Sequence, residues 1–228
     1  MTDSQTPPVR VALADDQPVV RHGLAAIIDG TEGLEVMGTA ADGGELLELV
    51  AATSPDVALV DIRMPGLDGI TATERITAQH PATKVLVLTT FDLDDYVFGA
   101  LEAGASGFLL KDAEPHEMVA AVRSIAAGHG TLDQSLTRRV LREFAERRRT
   151  QPVSAQRGSE LLTARETEIL LLLAQGMSNE EIARELVVEV STVKSHLARM
   201  LPKIGVRSRL QAVVWAYQNR VVTVPDEG

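Results

Sequence analysis

Residues 57–69 read VALVDIRMPGLDG: four consecutive apolar residues, a carboxylate at Asp61, then a loop punctuated by Pro65-Gly66. An unbroken apolar run of that length, bounded by turn residues, fits a strand covered on both faces, as in a parallel sheet. Other runs stop in the same manner. VRVALA ends at Asp15 and Asp16, KVLVL at Thr89, and GFLL at Lys111. Together with the run at 34–40, the runs at 9–14, 57–60, 84–90 and 107–110 make five expected strands. Helical-period segments near 17–29, 43–53, 68–79, 94–103 and 114–127 alternate with them. Asp42-Gly43, Ser54-Pro55, Met64-Pro65-Gly66, Gly104 and Gly107 punctuate the joints. Alternating strands and helices imply right-handed crossovers, so the expected fold is an α/β domain with a five-stranded, parallel, doubly wound sheet.

In that sheet Asp15, Asp16, Asp61, Thr89 and Lys111 all fall at the carboxyl edge, where open α/β sheets bind ligands. Three carboxylates at one edge repel and raise at least one pKa unless a cation compensates. Mg²⁺ suits such a place, because it takes carboxylate oxygens, keeps several waters and bridges to phosphate oxygens. A carboxylate can also act as a nucleophile and become an aspartyl phosphate. Phosphoryl transfer then needs chiefly positioning and charge neutralisation, which a metal and a lysine supply. The Thr89 hydroxyl is placed to bond new phosphoryl oxygens and so to report them. Taken singly, each residue has a plainer role: Asp15 and Asp16 as helix caps, Asp61 in a turn, Thr89 at a strand end, Lys111 in solvent. Their order at successive strand ends favours a common site.

The chain has 228 residues, enough for one large or two ordinary domains, and no cysteine, so disulfide and thiolate chemistry are excluded. No eighteen-residue apolar run occurs, and MTDSQTPP lacks a charged segment followed by an apolar one, so a cytoplasmic protein without a membrane partner is expected. Charge is unevenly spread. Residues 1–130 carry 20 acidic and 7 basic side chains, residues 131–159 carry 3 and 7, and residues 160–228 carry 9 and 8. From Val190 to Pro225 there are six basic residues and no acidic one, which permits a polyanion contact near the C-terminal end.

Residues 133–149 read as an amphipathic helix ending in Arg147-Arg148-Arg149, followed by TQPVSAQRGS, a linker composition. The three arginines fit a solvated helix end better than a nucleic-acid contact. Beyond them, Thr163 with Glu166 and Ser178 with Glu181 start two helices. After a break at VVEV comes STVKSHLARMLPKI, and RLQAVVWAYQN forms a fourth helix. Two short helices joined tightly, the second bearing Thr192, Lys194, Ser195, His196 and Arg199, have the arrangement of a helix-turn-helix. The fourth helix, apolar through Leu210, Val213, Val214 and Tyr217, either forms a dimer contact or closes the core of its own domain.

The Asp15-Asp16 pair, VDIRMPGLDG, KVLVLT and GFLLK resemble the receiver domain of two-component response regulators. LTARETEILLLLAQGMSNEEIA, STVKSHLARML and KIGVRSR resemble the LuxR-type DNA-binding domain, and the pair of domains resembles the NarL/FixJ class. The resemblance implies an N-terminal tail at 1–8, a receiver at 9–130, a linker with a helix at 131–159, a small all-α helix-turn-helix domain at 160–224 and a C-terminal tail at 225–228. It also implies that Asp61 accepts phosphate from a sensor histidine kinase, and that Asp15, Asp16, Asp61 and the Arg63 carbonyl hold Mg²⁺. Lys111 would pair with the phosphate, and Thr89 and Phe108 would act as the switch. Thr192, Val193, Lys194, Ser195, His196 and Arg199 would meet double-stranded DNA, and phosphorylation would promote a homodimer. Five departures stand out: Asp112 follows the lysine where many receivers have proline, Phe108 replaces the commoner tyrosine, Glu189 stands where Ser or Thr usually caps, Pro202 falls near a helix end, and Ala198 sits one turn after Lys194 where some relatives carry a base. Two rival readings are a Mg²⁺-dependent phosphatase, which would want an Asp where Arg63 stands, and a receiver that works without phosphorylation.

Overall fold

The structure is a computed structural model that describes residues 7–89, 95–128, 161–206, 208–219 and 221. Five strands, β1 (Val9–Ala14), β2 (Leu34–Ala40), β3 (Val57–Asp61), β4 (Lys84–Thr89) and β5 (Gly107–Leu110), form one sheet in the order β2-β1-β3-β4-β5. Every neighbouring pair is parallel. The crossovers are α1 (Pro18–Asp29), α2 (Gly43–Thr53), α3 (Gly69–Gln79) and α4 (Asp95–Glu102), and α5 (Pro115–Ala126) follows β5.

Period-two alternation divides the buried strand residues between two layers. Val11, Leu13, Leu59, Leu86 and Leu88 pack with Leu24 and Ile28 of α1 and Met118, Val122 and Ile125 of α5. Ala12, Ala58, Val60, Val85 and Val87 are also fully buried, on the face that α2 and α3 cover with Leu46, Val50, Ala72 and Ile76. Burial on both faces explains why the strands read as continuous apolar runs. The Asp42 carboxylate caps α2, accepting the N–H groups of Gly44 and Glu45 at 2.7 and 2.9 Å, and Asp68 caps α3 through Thr71 N–H at 2.8 Å.

The second set of elements is α6 (Ala164–Ala174), α7 (Asn179–Glu185), α8 (Val190–Lys203) and α9 (Arg209–Gln218). Their core gathers Ile169, Leu170, Leu173, Ile182, Val193, Met200, Ala212, Val213 and Ala216. Helix α9 therefore closes the core of its own bundle. Thr163 with Glu166, Ser178 with Glu181 and Ser208 with Gln211 form capping boxes on α6, α7 and α9. Pro202 lies within α8, which continues to Lys203. The chain divides into two compact units, Met1–Thr131 and Leu132–Gly228. The expected helix at 133–149 with its arginines, the linker after it, and the chain ends at 1–6 and 222–228 lie outside the described residues.

Candidate functional site

The crossover from β1 leads to β2 at one edge, while the crossover from β3 leads the other way, to β4. That reversal falls at the carboxyl ends of β1 and β3, the place where such sheets take ligands. There Asp15, Asp16 and Asp61 bring carboxylate oxygens within 4.8 Å of one another. Lys111, at the end of β5, places its ammonium 2.8 Å from Asp15 Oδ2 and 2.8 Å from Asp61 Oδ2. Asp15 is wholly buried, Asp61 is 4% exposed and Thr89 7% exposed, whereas Asp16 and Arg63 face solvent.

Local structure aims these groups. Asp15 Oδ1 accepts the Gln17 N–H at 2.9 Å, and the Arg21 guanidinium donates to the Asp15 carbonyl at 2.6 Å, so the acidic pair is held from below by α1. The Arg63 N–H bonds the Asp61 carboxylate. Lys111 N–H donates to the Thr89 carbonyl at 2.8 Å, tying the lysine to the strand that carries the hydroxyl. Phe108 is buried on β5 opposite Val87. No described peptide bond is cis, the bond before Asp112 included. Gly69 is demanded by proximity: a Cβ there would stand 2.0 Å from the Asp61 carbonyl oxygen, and one at Gly43 would stand 2.5 Å from the Leu67 carbonyl oxygen.

Burial pushes the Asp61 carboxyl above its ordinary range, Asp15 adds to the rise, and Lys111 opposes it. Burial pulls the Lys111 ammonium down, but its bonds to Asp15 and Asp61 outweigh that and leave it above its usual value. Asp15 Oδ2 is buried and receives no hydrogen bond of good geometry. The Lys111 ammonium lies 2.8 Å from it and compensates its charge. A buried carboxylate oxygen held by the Lys111 ion pair, beside two further carboxylates, offers the hard oxygen donors that Mg²⁺ takes, and the residues fit that ion.

The second candidate surface lies on α8. Ser191, Lys194, Ser195, Ala198, Arg199 and Pro202 are exposed, at the spacing of one helix face. Thr192 and His196 are half-buried at its margin. The Ser195 hydroxyl donates to the Ser191 carbonyl at 2.9 Å. Val193 does not belong to this surface: it is fully buried in the bundle core, because it falls on the inner face of the helix with Met200. The expectation that its side chain meets DNA is corrected accordingly. Lys203, read from the sequence only as a basic residue of the tail, reaches back to α6 instead, 2.6 Å from Glu166 Oε1. Nothing in the linear spacing signals that pairing, nor the roles of Gly43, Gly69 and Arg21, since each depends on a neighbour brought in by the fold.

The response regulator receiver domain family matches residues 11–123, and the luxR family of bacterial regulatory proteins matches residues 160–216. An uncharacterized transcriptional regulatory protein of Bacillus subtilis, YxjL, is 42% identical over 94% of this chain and 97% of its own length. The transcriptional regulatory protein LiaR of the same species is 41% identical over 94% of this chain and 99% of its own. Among solved structures, the response regulator ChrA of a heme-sensing two-component system is 37% identical, with a TM-score of 0.52, covering 95% of this chain and all of that one. The RcsB response regulator of Salmonella typhimurium is 25% identical with a TM-score of 0.54 over 91% of this chain and 97% of its own. No described helix is long and apolar enough to cross a membrane. The chain belongs to the two-component response regulators that join a receiver domain to a LuxR-type DNA-binding domain.

Proposed function

We propose that this chain is a cytoplasmic transcriptional regulator whose receiver, residues 9–130, is switched by phosphorylation of Asp61, and whose domain at 160–224 reads double-stranded DNA. The observation that carries the reading is the Lys111 ammonium set 2.8 Å from both Asp15 and Asp61 beside a buried carboxylate oxygen that receives no hydrogen bond of good geometry. An Asp61 oxygen attacks the phosphorus of a phosphohistidine on a sensor kinase; the P–N bond breaks and the imidazole leaves with a proton. Asp15, Asp16, Asp61 and the Arg63 carbonyl would hold Mg²⁺, which would supply neutralising charge to the phosphoryl oxygens.

The protein's own groups do the rest. Lys111 transfers one ion pair from a carboxylate to a phosphoryl oxygen. The Thr89 hydroxyl donates to another, and Phe108 on the adjacent strand repacks with it. The altered surface favours a homodimer that presents two α8 helices to half-sites one duplex turn apart, about 34–36 Å. Lys194 and Arg199 meet phosphates or base edges, with Thr192, Ser195 and His196 beside them.

The test is incubation with a small phosphodonor and Mg²⁺. A single alkali-labile acyl phosphate per chain, lost in Asp61→Asn, is the expected result. Repeated turnover on added phosphoesters would make the protein a phosphatase instead, and no incorporation would leave a receiver that signals without phosphate.

A further inference from the structure

Resting on the Mg²⁺-dependent phosphorylation proposed above, we infer that Arg21 is a positioning residue for the divalent cation: by holding the Asp15 carbonyl it fixes the peptide between Asp15 and Asp16, and so aims both carboxylates at one ion. Asp42 and Asp68 cap α2 and α3, but at the start of α1 Gln17 makes no side-chain capping bond. The turn that carries the acidic pair is therefore tied by other means. Asp15 N–H donates to the Ala40 carbonyl at 3.2 Å, and Asp15 Oδ1 accepts the Gln17 N–H at 2.9 Å. Arg21 closes the loop: its N–H donates to the Gln17 carbonyl at 3.0 Å, and its guanidinium reaches back to the Asp15 carbonyl at 2.6 Å.

The Asp15 carbonyl and the Asp16 N–H share one planar peptide unit, so a bond to the first fixes the plane from which Asp16 projects. Asp16 is exposed, so its backbone, rather than packing, orients it. A guanidinium stays charged at any ordinary pH, and a charged donor holds a carbonyl more firmly than a neutral one. Arg21 is half-buried, which shields the bond from water. Charge and geometry then act in opposite directions. By charge alone, a guanidinium bonded to Asp15 repels a second cation. By geometry, it preorganises the oxygens that a divalent cation requires. In the positioning role geometry outweighs charge, so removing this positive charge should weaken cation binding rather than strengthen it.

Full-length wild type, Arg21→Lys and Arg21→Met are titrated with Mg²⁺ by isothermal calorimetry, after thermal melts in EDTA show each to be folded. Arg21→Met should bind Mg²⁺ about tenfold more weakly or worse, the usual loss when a group behind a metal ligand is removed. Arg21→Lys, which keeps a charged donor on a long stem, should stay within about threefold of wild type. With a small phosphodonor, the loss in Arg21→Met should fall mainly on the half-saturating Mg²⁺ concentration and less on the rate at saturation, a split that general damage to the fold does not produce. Unchanged or tighter Mg²⁺ binding by Arg21→Met, or a lysine variant as weak as the methionine one, would overturn the inference. Arg21→Gln, neutral and shorter, replaces Arg21→Met with the same expected result if that variant does not fold. A wild type that binds Mg²⁺ but takes up no phosphate would remove the phosphorylation reading, while the titrations would still decide the role of Arg21; a wild type that binds no Mg²⁺ would overturn the inference outright.

Discussion

Replacing Lys203 by methionine should cost the DNA-binding unit about 2 kcal/mol, and the cost should fade in acid. Lys203 Nζ lies 2.6 and 2.8 Å from the two oxygens of Glu166, whose side chain is 3% exposed, against 41% for that of Lys203. Breaking a fully buried pair costs about 3–5 kcal/mol, while an exposed pair is worth about 0–1. This pair is intermediate: the acid is buried and the ammonium is wet. Glu166 also keeps the Thr163 N–H at 2.9 Å and its hydroxyl at 3.0 Å, which limits the loss, and methionine preserves the packing of the lysine stem. A value near 2 kcal/mol follows.

The assay is urea denaturation of the full chain followed by tryptophan fluorescence. Trp215 is the one tryptophan, and it packs against the core of this bundle, so the signal reads this unit alone. With a slope of about 1 kcal/mol/M for so small a unit, the midpoint should fall by about 2 M. Burial pushes the Glu166 carboxyl up, but Lys203 and Thr163 outweigh it and hold it below the ordinary 4.5. A depressed carboxyl stabilises the fold above its unfolded value and loses that contribution as pH falls through the folded one. The variant has less of this contribution to lose, so the two midpoints should converge below about pH 4.5. Equal midpoints at pH 7, or a gap that acid leaves unchanged, would refute the assignment of Lys203 to this lock.

Gly69→Ala sets a Cβ 2.0 Å from the Asp61 carbonyl, a backbone atom that cannot move aside, so thermal melting of the receiver should show a loss of about 3 kcal/mol or more; a melt like the wild type's would mean the loop shifts freely. Val187 is a β-branched residue at φ 53, 90% exposed, and Val187→Asn should stabilise the bundle by about 1 kcal/mol in the tryptophan-detected urea assay, since asparagine tolerates the left-handed region. Lys111→Met leaves Asp15 and Asp61 facing each other without their shared ammonium, so calorimetry should find that Mg²⁺ raises the melting temperature of this variant more than that of wild type; equal shifts would separate the lysine from the metal site.

The receiver strands were readable because burial on both faces leaves little polar interruption: the runs at 9–14, 34–40 and 107–110 coincide with β1, β2 and β5. Helix starts in the second unit were readable from Thr163, Ser178 and their glutamates, since a capping box is a local pattern. Which side of α8 faces inward was harder. Val193 sits between Thr192 and Lys194 in sequence, and the packing of α6, α7 and α9 against α8 decides that it is core. The same holds for Glu166, which reads as a cap and is one, yet also anchors Lys203 from 37 residues away. Local chemistry is written in the sequence; long-range partners of single polar side chains are not.

The charge at the carboxyl edge accounts for why an event there should be felt elsewhere. Asp15, Asp16 and Asp61 set three negative charges against the single positive charge of Lys111, and a divalent cation would bring the cluster close to neutrality. A phosphoryl group on Asp61 replaces one negative charge by about two, at a side chain only 6% exposed, so water absorbs little of the excess. Lys111 is already shared between two carboxylates, and serving the phosphoryl group loosens its hold on Asp15. A further donor is required, and the Thr89 hydroxyl, at the end of the adjacent strand and 7% exposed, is the one the sheet provides. On the proposed reading, drawing it in would reshape the end of β4, whose Thr89 carbonyl also receives the Lys111 N–H, so the ends of β4 and β5 would respond together. On that reading, the site with a divalent cation bound would stand close to balance, and the switch would draw its energy from the imbalance that phosphorylation creates.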